Sequence, residues 1–318
     1  MKRSIPWSLC LILGGTLLAI AQSKDNPAEK VSDSVAGATS EKPYENSLGM
    51  RFVPLPGLKV LFGVWETRVQ DFREYVRETG YVQSGGVYVM KVAKADGGDY
   101  SRKWELDKEA SWNNPGFQQG EDHPVVGVNW EEAEAFCAWL TEKEQKAGRI
   151  GPEQEYRLPT DKEWSAAVGE TNYPWGNNWP PPEKAGNYAD DAYVASLPGA
   201  GWSQVPGNDG YARTSPVSSF PPNPLGLYDM GGNVCQWCED WYRGDMNAQA
   251  FLDQFPALKD DGGGKKFRLV RGSSWRGTDP VYLLSACRGR GIPGDRNDFY
   301  GFRCVLVSGS SSAPGGNL

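Results

Sequence analysis

The chain has 318 residues, 39% hydrophobic and 23% charged, which is enough apolar material for a sizeable core and too much for a disordered tail. A formal charge of −7 speaks against nucleic acid or an anionic membrane surface as the main partner. A single histidine, His123, excludes sites built on two or three imidazoles.

The first residues, Met1-Lys2-Arg3, are basic, and the apolar run from Trp7 to Ile20 is too short to span a bilayer comfortably. It ends in Ala19-Ile20-Ala21, the small-x-small pattern that precedes cleavage, so residues 1–21 read as a removed signal peptide. Cys10 lies inside the run, and no cysteine directly follows the small residues to take a lipid. The mature protein is therefore expected outside the cytoplasm, secreted or periplasmic, with no membrane span. Its cysteines, Cys137, Cys235, Cys238, Cys287 and Cys304, become disulfide candidates with one thiol left over. Residues 22–42 are polar and read as a disordered linker, 308–318 as a disordered tail, and 43–307 as one domain.

Three helices are predicted. Thr67-Arg-Val-Gln70 resembles a capping box ahead of Val69, Phe72 and Val76, and Gly80 supplies the left-handed stop, giving a helix over 68–79. Asn129 and Glu132 cap a second helix, whose stripe Ala133, Phe136, Cys137 and Leu140 faces a core. Thr160 and Glu163 cap a short third. Beyond about 170, the density among 39 Gly and 23 Pro permits only short strands and long loops.

Chemistry-bearing residues fall in three groups. Asn187-Tyr188-Ala-Asp190-Asp191 and Asn208-Asp209-Gly210-Tyr211 are oxygen-rich loops that suit a hard cation such as calcium, although composition alone favours solvated Asx turns. Cys235-Gln-Trp-Cys238 has the spacing of a redox dithiol on a helix. The alternation of Val234, Gln236 and Cys238 with Cys235 and Trp237 instead predicts a strand, on which the two cysteines point to opposite faces and cannot bond. The third group runs from Arg268 through Arg271-Gly-Ser-Ser-Trp275-Arg276 and Cys287-Arg288-Gly-Arg290 to Arg303-Cys304. These arginines either line an anionic cleft or pair structurally with carboxylates. Ser273 and Ser274 have no base nearby in sequence, which weakens a serine-hydrolase reading.

The collinear set Asn46-Ser-Leu-Gly-Met50, Trp65-Glu-Thr-Arg, His123-Pro-Val-Val-Gly, Arg157-Leu-Pro-Thr, Asn223-Pro-Leu-Gly-Leu-Tyr-Asp-Met-Gly-Gly-Asn-Val234, Arg271-Gly-Ser-Ser-Trp275 and Gly301-Phe-Arg-Cys304 resembles the sulfatase-modifying-factor family, whose founding members are formylglycine-generating enzymes. The resemblance implies an irregular α/β fold related to C-type lectins, low in regular secondary structure and carrying structural calcium. It implies calcium at Asn187, Tyr188, Asp209 and Tyr211, and a weaker second site at Asn233, Val234 and Gln236, where Gln236 replaces an acid. It also implies a Cys137–Cys304 disulfide; the strand reading leaves Cys238–Cys287 as a second expected pair and Cys235 reduced.

The two cysteines that hold copper(I) in formylglycine-generating enzymes correspond here to Gly277 and Tyr282. Soft copper(I) needs thiolates, so copper is not expected. Two functions follow from different classes. The first is an exported binding module whose cleft, near Ser274, Trp275, Arg276, Tyr282 and Arg288, holds a peptide, glycan or protein ligand. The second is an oxidoreductase acting on a protein cysteine, or another enzyme, through an altered centre.

Overall fold

The computed structural model describes residues 37–308 except 95–97, 99, 200–201, 248–251, 254 and 260–264, together with Val35. The expected signal peptide and the expected tail beyond 308 lie outside the described residues. Val35 and Ala38 pack on the core, so the ordered body reaches back into the segment read as a linker.

Strands β1 (Tyr44–Glu45), β2 (Arg51–Pro54) and β3 (Val60–Gly63) run antiparallel in sequence order. The last strand, β11 (Val305–Ser308), pairs antiparallel with β3 on one side and with β6 (Gln154–Arg157) on the other, closing a five-stranded sheet. Period-two alternation gives this sheet two buried faces. Phe52, Leu61, Tyr156 and Leu306 pack toward Phe72, Phe136 and Cys137. Val53, Val60, Phe62, Val305 and Val307 pack toward Trp164, Cys238 and Leu269.

Helices α1 (Val69–Thr79) and α2 (Trp130–Lys146) cover the first face. In α2 the Asn129 side chain accepts from Glu132 N while Glu132 returns the bond, and Ala133, Phe136, Cys137 and Leu140 are buried, as the stripe predicts. The start of α1 differs by one residue. Its capping carboxylate is Asp71, which accepts from Arg68 N at 2.9 Å, while Thr67 is fully buried against Cys304. An ionised acceptor bonds a backbone N–H more strongly than the neutral Gln70 amide, which moves the cap. Gly80 stops the helix at φ 69°. The third helix, α3 (Asp161–Val168), has the expected Thr160–Glu163 box.

Past 170 the chain forms short strands, 3-10 turns and a short helix, α4 (Asp191–Ala195), which the glycine and proline density concealed. Strand β7 (Cys235–Trp241) sits between β10 (Tyr300–Gly301), parallel to it, and β8 (Arg268–Arg271), which in turn pairs with β9 (Gly289–Gly291). A separate hairpin joins β4 (Val87–Lys94) to β5 (Tyr100–Asp107). Among the described residues no helix is long and apolar enough to cross a membrane.

Candidate functional site

The arginine-rich motif leaves β8 through Gly272, whose φ of 73° a side chain rarely adopts, and buries Ser274 and Trp275 to 2% and 1% exposure. Trp275 N donates to Asn233 O at 2.8 Å, tying this turn to the Gly-Gly-Asn segment. The five side chains expected to share a cleft meet different neighbours. Arg288 donates to Asp161 Oδ2 at 3.0 Å, and the buried Arg271 donates to the same carboxylate at the start of α3. Arg288 is thus a structural ion-pair residue. Tyr282 lies on a 3-10 turn (Pro280–Leu283) with its ring 4.8 Å from Phe255. Ser274 faces Cys235, and only Trp275 and Arg276 enter the aromatic cluster described below.

A second centre lies behind the Asn187 loop. Asn187 is fully buried; its Nδ2 donates to Arg213 O at 2.8 Å, while its Oδ1 has no partner. Asp209 accepts from Tyr188 N at 2.9 Å and from Tyr211 N at 2.7 Å. Burial, reinforced by the neighbouring Asp190 charge, pushes the Asp209 carboxyl up to about 6. Asp190, read from sequence as a loop oxygen donor, caps α4 by accepting from Ala192 N. Both Asp209 oxygens thus accept backbone N–H groups and Tyr188 O accepts from Asp190 N at 2.9 Å, while Asn187 Oδ1 is a buried side-chain oxygen of this loop without a partner.

The weaker set at Asn233, Val234 and Gln236 does not fit a cation. Gln236 Oε1 accepts from Arg303 Nε at 2.8 Å and from Trp164 Nε1 at 2.9 Å. Asn233 Oδ1 accepts from Ser215 N at 3.0 Å. These ligand oxygens therefore already face donors, one of them a guanidinium. Glu66, which no sequence motif marked as chemical, is fully buried beside them and accepts from Asn233 Nδ2 at 2.9 Å. Burial and the charge of Asp229 hold its carboxyl well above the usual range.

All five described cysteines are free thiols. Cys137 and Cys304 meet across the core with their sulfurs 3.4 Å apart. The expected Cys238–Cys287 pair is not assembled. Cys238 packs with Trp164, Met230 and Tyr242, whereas Cys287 packs with Leu252 and stands near enough to Cys235 to help raise that thiol. Burial pushes Cys235 and Cys287 both up to about 12, far from a reactive thiolate. His123 Nδ1 meets Thr214 Oγ1 at 3.0 Å in a structural contact.

An aromatic cluster joins distant parts of the chain. Tyr193 of α4 packs 5.7 Å from Trp275, and Arg213 lies 4.8 Å over the Trp275 ring. Arg102 of β5 stacks on Trp202 at 4.4 Å, and Arg276 lies 4.1 Å from Trp104 and 4.3 Å from Phe299. Arg102, Tyr193 and Arg213 carry no local motif, so sequence reading missed them.

This curled-sheet fold, with its buried Gly-Asn turn and arginine-rich closing segment, defines a formylglycine-generating-enzyme-like domain. Residues 63–307 match the profile of the sulfatase-modifying factor enzyme 1-like domain, and the chain belongs to that family. It is 30% identical over 262 residues to the formylglycine-generating enzyme of Thermomonospora curvata, covering 74% of this chain and 78% of that one. It is likewise 30% identical over 273 residues to inactive C-alpha-formylglycine-generating enzyme 2 of Bos taurus, covering 77% and 76%. Among solved structures, PvdO from Pseudomonas aeruginosa aligns with a TM-score of 0.52 at 25% identity, over 78% of this chain and 80% of that one.

Proposed function

We infer that this protein is an exported, calcium-stabilised member of the family that binds a peptide, glycan or protein ligand and does not oxidise cysteine. The observation that carries the reading is the packing at Gly277. A Cβ there would fall inside van der Waals contact of Ser273 Oγ and 3.3 Å from Leu283 Cδ2. Where the family motif reads Gly-Gly-Ser-aromatic, this chain reads Gly272-Ser273-Ser274-Trp275, so a hydroxyl takes the volume that the first copper thiolate would need. At the second position Tyr282 offers a phenol oxygen, a hard ligand that burial pushes further from ionisation.

The calcium reading is supported by the buried Asn187 Oδ1, which lacks a partner, and by the Asp209 carboxylate, which accepts from the N–H of the next residue, Tyr188. Its chemistry there would be structural, fixing two loops in a region poor in helices and strands. Export is supported by the basic start, the apolar run and the Ala-x-Ala ending. The bovine relative named as inactive is in keeping with a non-oxidising member.

The test is incubation of the mature protein with a Cys-x-Pro-x-Arg peptide, copper, oxygen and a thiol reductant, followed by mass spectrometry. No aldehyde product is expected. Formation of formylglycine by the unaltered chain would reverse the reading in favour of an altered oxidising centre. Gly277→Cys with Tyr282→Cys is expected to bind copper(I) poorly until Ser273→Gly is added, because Ser273 must first vacate its space.

A further inference from the structure

Three guanidinium groups converge on the phenol of Tyr193. Arg213 and Arg102 lie 5.6 Å and 5.8 Å from its ring, and the charge of Arg276 also acts on its hydroxyl. They arrive from β5, from the loop after α4 and from the segment after β8. Among the described residues none of the three is in an ion pair. The carboxylate that faces Arg213 and Arg276 is Asp298, and its Oδ1 is itself without a partner. Among the described residues, two guanidinium groups thus share one carboxylate, and Arg102 adds a third positive charge.

Around this point lie buried donors with nothing to donate to. Arg102 Nε, Arg276 Nη1, Trp275 Nε1 and Tyr193 Oη all lack hydrogen-bond partners. Tyr193 is fully buried and Trp275 nearly so. Buried donors are paired in the great majority of folded proteins, so unpaired donors gathered around the Tyr193–Trp275 contact from three chain segments mark a place for an acceptor-rich group.

We propose that Arg102, Arg213 and Arg276, with Tyr193 and Trp275, form a binding site for a phosphate monoester. A planar carboxylate brings one charge and two oxygens in a single plane. A phosphoryl group brings nearly two charges and three oxygens in a tetrahedral array, which matches both the excess charge and donors arriving from separate directions. Arginine suits this role because its planar fork bonds phosphate oxygens while its face stays stacked on a ring. Trp104, 42% exposed on the hairpin, and Trp202 present aromatic surface for the organic part of the ester. Trp275 and Arg276 also belong to the cleft expected from sequence, so this site deepens the ligand-binding reading and rests on it, while its test does not depend on cysteine oxidation.

Calorimetric titration of the full-length protein in chloride buffer decides it, with phenyl phosphate, inorganic phosphate and benzoate as probes. Phenyl phosphate is expected to bind at least about tenfold more tightly than benzoate, and Arg276→Gln to weaken it by a further factor of about ten. Arg102 sits on the partly exposed hairpin, so Arg102→Gln reports the same loss without disturbing the core; its thermal melt checks folding. Absence of phenyl phosphate binding at millimolar concentration would overturn the proposal. So would equal affinity for benzoate, binding of inorganic phosphate without the ester, or unchanged affinity in Arg102→Gln. The peptide-oxidation assay above reads the other proposal independently, so either can fail alone.

Discussion

Arg303 Nε donates to Gln236 Oε1 at 2.8 Å, while the other end of the same amide, Gln236 Nε2, donates to Asp229 O at 3.0 Å. The amide thus stands between donors and acceptors, with Gln236 Nε2 also donating to Glu66 Oε1 at 3.4 Å. Only a group that accepts at one end and donates at the other satisfies both. Gln236→Glu is expected to place a carboxylate oxygen against Glu66 and Asp229, costing about 1–3 kcal/mol of stability. Urea denaturation of the two proteins at neutral pH measures this, and equal midpoints would refute it.

Cys137 on α2 and Cys304 just before β11 lie 167 residues apart in sequence with sulfurs 3.4 Å apart. In an oxidising compartment they are expected to bond, and a loop of that length is worth about 5 kcal/mol in the chain-entropy account. Peptide mapping of non-reduced protein should recover the Cys137–Cys304 pair. Recovery of a Cys235–Cys238 peptide would contradict the strand that separates them.

Calcium at the proposed Asn187 site would stabilise only the folded state, by about 2.7 kcal/mol when free ion is a hundredfold above its dissociation constant. Chelation should lower the melting temperature, and Asp209→Ala should abolish that difference. A melting curve indifferent to chelator would count against the site.

Asp298 carries a pH signature. Burial lifts its carboxyl from 3.8 to about 6 despite the opposing fields of Arg276 and Arg213. The folded state therefore holds this proton more tightly than the unfolded chain. The resulting stability is fully present below about pH 4 and is lost as pH rises through about 6, roughly 3 kcal/mol for a shift of this size. Asp298→Asn removes that loss, so the variant should gain on the parent between pH 4 and pH 7 when urea midpoints are compared in phosphate-free buffer. A constant gap across the range would show that Asp298 ionises without penalty.

Sequence reading succeeded where a few neighbouring residues decide the outcome. The Asn129–Glu132 and Thr160–Glu163 boxes, the Gly80 stop and the alternation along β7 are local, and the structure reproduces them. It fell short where the partner is remote. Asp161 draws Arg288 away from a cleft across 127 positions, and the Tyr193 cluster gathers Arg102, Arg213 and Arg276 from segments that share no pattern. No periodicity encodes such meetings, because tertiary packing alone brings them about.

The position of β11 sets the order in which the molecule can be built. Strand β11 follows every other strand of its sheet in sequence, yet it lies between β3 and β6 and gives Val305 and Val307 to one face and Leu306 to the other. Until β11 is in place, the chain holds two unjoined strand edges and a split core. Such high-separation pairing is slow to form. Removal of Val305–Ser308 would leave both edges unpaired.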